Sequence, residues 1–125
     1  RSYRIVMHKL VQIVRFESAR KLTKVPKEHP CSNLYGLSFK LEIHIEGEMN
    51  PENGFVMDFN NIEEAVMPIR NKIDHNYLND LEGLQNPTSE VLIQWIWDNL
   101  KPNLDELTKL VLWENEVSRV EYKGD

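Results

Sequence analysis

The sequence predicts an α+β domain in which an antiparallel sheet is covered on one face by two helices. Two observations lead to this prediction. Strand-like segments fall into two groups, one toward each end of the chain, and the helix-like segments lie together between them. This grouping, unlike a regular alternation of helices and strands, is typical of α+β folds. The 125 residues suit one domain spanning residues 1–125.

Apolar periodicity predicts the strands of the first group. Residues 4–16 are rich in Ile and Val, and residues 37–45 alternate between apolar and polar side chains without a break. Residues 47–54 carry Asn50-Pro51 and Asn53-Gly54, which is a turn signature. The short apolar segment 55–59 follows, and we expect it to form a further strand that completes a hairpin.

Helical spacing predicts the two helices that come next. The first has apolar residues from Ile62 to Ile73, and we expect Asn60 or Asn61 to cap it and Pro68 to kink or interrupt it. The second is expected to begin after a cap at Thr88 and to stop near residues 101–102. Residues 107–114 and 117–122 are the last two strands, which gives the order ββααββ.

Composition excludes several classes of protein. The net charge is −5, and Lys and Arg are too dispersed for a nucleic-acid footprint. A mild basic cluster within residues 15–27 either is solvated or attracts a small polyanion such as a triphosphate. Cys31 is the sole cysteine, so no internal disulfide forms. We see no apolar run of about 20 residues and no secretion signal, and we therefore expect a cytoplasmic protein without a membrane span.

Three local signals carry possible chemistry, and each has an ordinary alternative. Cys31 lies near His29, where a thiolate can serve as base or nucleophile, although a lone cysteine is usually inert. Asp74 precedes His75 and can orient it, although a helix-end histidine can simply interact with the helix dipole. Glu114 ends an apolar strand, where its carboxylate can bind a guanidine-like ring edge or face solvent.

These signals and their neighbours occur together in one order along the chain. The order is Phe16-Glu17-Ser18-Ala19, Cys31, Gly36, Gly54-Phe55-Val56-Met57-Asp58-Phe59, Asp74-His75-Asn76-Tyr77-Leu78-Asn79, Asn86-Pro87-Thr88-Ser89-Glu90, Trp95-Ile96-Trp97 and Trp113-Glu114. In this respect the sequence resembles the 6-pyruvoyl tetrahydropterin synthase family. Its nearest branch looks like the 6-carboxytetrahydropterin synthases of the queuosine pathway. The resemblance covers about residues 16–122.

The resemblance implies a tunnelling fold, or T-fold, with two helices on a four-stranded antiparallel sheet. It also implies a homo-oligomer, a trimer or a hexamer, with active sites between subunits. The family substrate is 7,8-dihydroneopterin triphosphate, so a pterin-type small molecule is the expected ligand. By resemblance, a chain of this type is a carbon–carbon lyase.

The resemblance also assigns roles to individual residues. Cys31 matches the proton-transferring cysteine, and Asp74 and His75 match its relay partners, which a neighbouring subunit supplies. Glu114 matches the residue that anchors the pterin, and Thr88 lies in the same pocket.

The family's zinc ligands have no counterpart in this sequence. The three matching positions hold Arg20, Tyr35 and Leu37 in place of histidines. A guanidinium has no lone pair to donate, a leucine side chain has no donor atom, and His44 lies on the opposite strand face from Leu37. We therefore expect no zinc and no other cofactor. We expect Arg20 to occupy the metal position, where an oxygen-rich group, either substrate hydroxyls or an anion, should contact it. The alternative is that Arg20 turns outward to solvent or pairs with a carboxylate.

Two functions from different classes remain open. One is an enzyme that resembles 6-carboxytetrahydropterin synthase and works without zinc. The other is a non-catalytic paralogue that binds a pterin or purine, or that joins an active synthase as a subunit and supplies Asp74 and His75.

Overall fold

The structure is a computed structural model that describes residues 5–125. Within these residues there are two α-helices and five strands, and every strand lies in one mixed sheet. The strands are β1 (Met7–Arg20), β2 (Tyr35–Glu48), β3 (Asn76–Tyr77), β4 (Leu107–Trp113) and β5 (Arg119–Tyr122), and the helices are α1 (Phe59–Ile73) and α2 (Ser89–Leu100). The sheet order is β3-β1-β2-β4-β5.

The pairing of β1 with β2 dominates the sheet. The two strands are antiparallel over 14 residues each, from Met7 opposite Glu48 to Arg20 opposite Tyr35. Apolar residues of β2 at alternate positions are buried because they face the helices, while the intervening polar residues lie on the other face. The predicted strand start at Arg4 lies outside the described residues, and β1 extends four residues beyond the predicted end.

Both helices pack on the same face of the sheet. Their buried residues join those of β1, β2 and β4 in one hydrophobic cluster, which includes Ile62 of α1, Ile96 of α2, Phe39 and Leu110. The α+β prediction and the covering of one face are therefore confirmed. Among the described residues, no helix has the length and apolar character that a membrane crossing requires.

Three of the predictions are wrong: the strand at residues 55–59, the cap of the first helix, and the purely antiparallel sheet. Residues 55–59 are not a strand: α1 begins at Phe59, with Asp58 rather than Asn60 or Asn61 as its cap. The Asp58 carboxylate accepts a hydrogen bond from the Asn60 N–H at 2.9 Å, so the chain enters the helix where a strand was expected. Pro68 lies inside α1, which continues to Ile73, so the helix is not interrupted there.

The third correction concerns the sheet, which is not purely antiparallel. Directly after α1, the short strand β3 pairs in parallel with β1 at Ser18 and Ala19. Two residues are too few to show a periodicity, so the sequence pattern contains no signal for this strand. The Thr88 cap of α2 is confirmed: its hydroxyl accepts from the Val91 N–H at 3.1 Å.

Candidate functional site

The candidate site lies where β1 ends, β2 begins and the N-terminus of α2 approaches them. Arg20 and Tyr35 are register partners, as are Ser18 and Leu37, so side chains at positions 20, 35 and 37 share the helix-facing side of the sheet. The fold thus brings together the three positions that the resemblance matches to zinc ligands.

Arg20 is the centre of a buried polar cluster. It is only 4% exposed, and its guanidinium uses each of its three nitrogens. Nε donates to the Tyr35 hydroxyl at 2.8 Å, Nη1 to the Pro87 carbonyl at 3.2 Å and the Ser89 hydroxyl at 3.3 Å, and Nη2 to Glu114 Oε1 at 2.5 Å. Burial lowers the pKa of Arg20, but the bonds to Glu114 and Tyr35 raise it more. Arg20 is therefore a fixed cation.

Glu114 is the counter-ion of Arg20. Its Oε1 also accepts a hydrogen bond from the Ser89 hydroxyl, while 29% of its side chain is exposed. Burial raises the pKa of Glu114, but the bonds from Ser89 and Arg20 outweigh this effect and hold the pKa below its ordinary value of 4.5. Within the described residues no hydrogen bond reaches Oε2, so one carboxylate oxygen is engaged and the other is open.

The residues at positions 20, 35 and 37 do not fit a zinc site. Zinc needs several lone-pair donors at about 2.0–2.3 Å. Arg20 is protonated and ion-paired, Leu37 has no donor atom, and the Tyr35 hydroxyl already accepts a bond from Arg20. Burial raises the pKa of Tyr35, as does the neighbouring Cys31 thiol, against the lowering effect of Arg20. Among residues 5–125, no cluster of three His, Cys, Asp or Glu side chains can hold a metal.

Asp74 and His75 form a separate pair at the C-terminal end of α1. His75 Nδ1 lies 3.0 Å from Asp74 Oδ1, and His75 Nε2 lies 3.5 Å from Glu17 Oε2. The His75 backbone has φ 58°, the left-handed region, so the residue leaves the helix and its ring can contact the preceding side chain. In a regular helix adjacent side chains diverge, so this contact depends on the backbone turn.

The surroundings of Asp74 hold the pair in place. The Glu17 N–H donates to Asp74 Oδ1 at 2.9 Å, and Arg70 contacts Oδ2 at 3.2 Å. The backbone hydrogen bond from Glu17 is the largest cause that lowers the pKa of Asp74, and His75 and Arg70 lower it further. The His75 side chain is 73% exposed and lines a cavity of about 470 Å³ with Glu17, Leu37 and Ser38.

The predicted site residues thus fall into two groups within one chain. Arg20 and Glu114 are in direct contact, with Cys31 beside Tyr35 at the edge of their cluster. Asp74 and His75 are on the outer side of β1, and no contact joins them to Cys31 among the described residues. Thr88 caps α2 through its hydroxyl.

Ser89 is the site residue that the sequence reasoning missed. It is 3% exposed and bonds to both members of the ion pair. A signal for it was present: once Thr88 is the cap, Ser89 is three, four and seven residues before the buried Leu92, Ile93 and Ile96. Residues at these spacings share one helix face, so Ser89 must point inward.

Comparison with known proteins agrees with this fold. The sequence model of the family described as 6-pyruvoyl tetrahydropterin synthase matches residues 9–125. A 6-carboxy-5,6,7,8-tetrahydropterin synthase from Synechocystis is 36% identical over 91 residues, covering 69% of each chain. A dihydroneopterin monophosphate aldolase from Pyrococcus furiosus is 36% identical over 93 residues, covering 72% of this chain and 78% of its own.

A solved structure confirms the architecture. The 6-pyruvoyl tetrahydropterin synthase of Caenorhabditis elegans superposes with a TM-score of 0.91 at 21% identity, covering 99% of this chain and 100% of that chain. At this identity the likeness establishes the fold, which is the T-fold with β3 as an additional short strand. The family model and the sequence relatives establish more than the fold: this chain belongs to the 6-pyruvoyl tetrahydropterin synthase family.

Proposed function

We propose that this chain is a pterin-binding member of the family that does not run the zinc-dependent reaction by itself, and that it supplies Asp74 and His75 to the site of a neighbouring subunit. One observation carries this proposal. The metal-matching position is filled by Arg20, which is buried and paired with Glu114, while Asp74 and His75 are aligned and the His75 ring is exposed. In this proposal the metal position of a shared site is blocked by Arg20, and the His75 ring is accessible to a neighbouring subunit.

The chemistry of the exposed pair suits proton transfer. If His75 Nδ1–H donates to Asp74, the imidazole has a fixed tautomer and its Nε2 lone pair is available to accept a proton. A carboxylate that orients a histidine in this way also stabilises the imidazolium that forms. The pair can therefore complete a site whose metal and nucleophile lie on another chain.

Mixed assembly tests the proposal directly. A zinc-containing synthase of the family is inactivated by replacing its own relay histidine, and this chain is then refolded together with it. We expect activity to return in the mixture and not with the His75→Asn variant of this chain, which removes the imidazole. No recovery in an assembly shown to contain both chains would contradict the shared-site proposal.

Zinc content gives an independent test. We expect purified protein to hold no stoichiometric zinc by elemental analysis, because Arg20, Tyr35 and Leu37 supply no adequate donor set. Replacing all three by histidine should create a zinc site. About one zinc per wild-type chain would contradict the assignment of these positions.

A pterin ring bound by this chain is proposed to use Glu114. Its carboxylate suits the 2-amino-4-oxo edge of the ring, and it borders a cavity of about 630 Å³. Glu114→Gln removes charge-assisted hydrogen bonds and should weaken pterin binding roughly tenfold or more in a calorimetric titration. Unchanged affinity would place the ligand elsewhere.

A second candidate is an enzyme that acts alone on a dihydroneopterin phosphate. The relative named dihydroneopterin monophosphate aldolase favours it, because sequences this similar are not confined to one reaction. Cys31, Asp74 and His75, which match the family's catalytic residues, are all present. Chelator-treated protein should be assayed with dihydroneopterin monophosphate and triphosphate. Turnover that is lost in His75→Asn and in Cys31→Ala would establish that the chain is an enzyme by itself and would contradict the subunit role. The products would show whether the reaction is that of a 6-carboxytetrahydropterin synthase or of an aldolase.

A further inference from the structure

The buried cluster around Arg20 has the features of a small-molecule recognition site. Arg20 Cζ lies 5.3 Å from the centre of the Tyr35 ring and 5.7 Å from that of Phe39. Its edges meet a carboxylate at Glu114, a hydroxyl at Ser89 and a backbone carbonyl at Pro87. Aromatic rings beside a flat cation and acceptors around its rim are what a guanidine-type group requires.

The arrangement joins distant parts of the chain. Arg20 and Glu114 are 94 residues apart in sequence, and Arg20 and Ser89 are 69 apart. The acceptors therefore belong to the tertiary structure and do not depend on the local conformation of β1. Ser89 is the first residue of α2, Pro87 precedes the Thr88 cap, and Glu114 directly follows β4. The hydrogen bond from Ser89 to Glu114 does not involve Arg20, so these acceptors should stay together if the Arg20 side chain were shortened.

We propose that the pocket formed by Tyr35, Phe39, Pro87, Ser89 and Glu114 is a recognition site for a flat guanidine-type group, and that Arg20 is its tethered occupant. Arg20 competes with any free ligand of that class for Glu114. As it applies to pterins, this inference rests on the proposed role of Glu114 in ring binding. The pterin ring contains the same N–C–N donor edge as a guanidinium, so the two cannot use Glu114 Oε1 together.

Removal of the tether is the first test. Arg20→Ala leaves Glu114 and the Pro87 carbonyl without their partner and should lower the melting temperature. Guanidinium chloride at about 20 mM, far below the molar range that denatures proteins, should then restore stability. We expect a rise of about 4–8 °C when guanidinium is near ten times its dissociation constant. Wild type should not respond.

Controls separate specific occupancy from general salt effects. Ammonium has the charge of guanidinium but not its planar shape, and urea has the planar shape but no charge. Neither ammonium chloride nor urea at the same concentration should therefore have an effect. The double variant Arg20→Ala with Glu114→Gln should also lose the response to guanidinium. A response that persists without the Glu114 carboxylate would overturn the proposal.

A second variant covers a failure of Arg20→Ala to fold. Arg20→Gln removes the charge that competes for Glu114 and keeps a polar side chain of intermediate size, so guanidinium should stabilise it as well, by a smaller amount. Absence of stabilisation in every folded variant would overturn the inference. Pterin affinity distinguishes the two proposals: stabilisation by guanidinium without pterin binding supports the tethered occupant and contradicts pterin recognition. If both are seen, Arg20→Ala should bind pterin at least about tenfold more tightly than wild type.

Discussion

At the residue scale, the Arg20–Glu114 pair determines how the site behaves. A buried arginine is costly unless its donors are satisfied, and here a carboxylate, two hydroxyls and a carbonyl satisfy them. Removing one member of the pair therefore leaves the other charge buried without a counter-ion, which lowers the stability of the fold.

The loss of Glu114's charge should be measurable as lost stability. Glu114→Gln leaves a protonated, buried guanidinium without its counter-ion and should lower the free energy of unfolding by about 1.5–3 kcal/mol in urea titrations. Glu116→Gln is the matched control, because Glu116 is exposed and has no hydrogen-bond partner among the described residues. It should change stability by no more than about 0.5 kcal/mol. Equal effects of the two variants would contradict the role of the ion pair.

The same pair should make stability depend on acidity. The folded-state pKa of Glu114 lies below its ordinary value of 4.5, so its contribution is fully present above pH 4.5. It declines as the pH falls further and is lost once the pH passes the folded-state pKa. The free energy of unfolding of wild type and Glu114→Gln should therefore converge below pH 4.5. A difference that widens toward pH 3 would be inconsistent with this sign.

Local sequence patterns predicted several of the site residues but not which of them contact one another. Cys31, His75 and Glu114 were selected from their neighbours and from motif order. The partnership of Arg20 with Glu114 spans 94 residues and depends on how β1 and β4 are arranged around β2, which no local pattern encodes. For Arg20 the sequence left two outcomes equally open: contact with an oxygen-rich ligand, or an outward orientation or pairing with a carboxylate. In the structure Arg20 pairs with the Glu114 carboxylate.

At the element scale, hydrogen bonds and a left-handed backbone conformation fix the C-terminal end of α1 against β1. Helix α1, the left-handed His75 and the short strand β3 follow one another directly, and the His75 N–H donates to the Glu17 carbonyl at 2.5 Å. The turn thus attaches the end of the helix to β1. It also holds Asp74 and His75 on the outer side of that strand.

The backbone conformation at His75 should discriminate between substitutions. Asn tolerates φ near 58°, whereas a β-branched residue does not. We expect His75→Asn to keep the free energy of unfolding within about 0.5 kcal/mol and His75→Val to lower it by about 1–2 kcal/mol. Urea denaturation of both variants is the measurement. Equal stability of the two would mean that the left-handed conformation is not required.

The elements also show where sequence patterns succeed and fail. Thr88 was predicted as a cap because capping depends on a few adjacent residues, and its hydroxyl caps α2. The segment 55–59 was wrongly predicted as a strand because a short apolar run is compatible with several structures. Val56 and Met57 lie in a loop and pack against the hydrophobic core. Their apolar side chains therefore reflect tertiary packing rather than a strand.

At the scale of the whole molecule, both sides of the sheet leave strand edges to be covered, because the two-residue strand β3 covers only one end of β1. The described part of β1 before Arg15 pairs with β2 alone, and β5 forms the opposite edge. Met7, Val11 and Ile13 of β1 are 59%, 40% and 41% exposed. Unpaired edges bearing apolar side chains favour pairing with another chain.

We expect the protein to assemble with threefold symmetry in solution. Light scattering should give three or six times the 14.8 kDa of one chain. The double variant Val11→Lys and Ile13→Lys should shift the protein toward the monomer. Val117→Lys is its control, because Val117 is 87% exposed and lies outside β1. A wild-type monomer at micromolar concentration would contradict the assembly.

The long sequence separation between Arg20 and Glu114 has a kinetic consequence. A contact between residues 94 apart closes a large loop, and we expect it to form after the pairing of β2 with β4 has brought its ends together. It should therefore be absent from the transition state for folding, so that Glu114→Gln accelerates unfolding by about tenfold or more and leaves the refolding rate within about twofold. Stopped-flow measurements in urea give both rates, and they should be made with and without Glu114→Gln in the Val11→Lys, Ile13→Lys variant, which is expected to be shifted toward the monomer. The ion pair that fills the pocket would then form after the transition state and would act mainly by slowing unfolding, which lengthens the lifetime of the folded state.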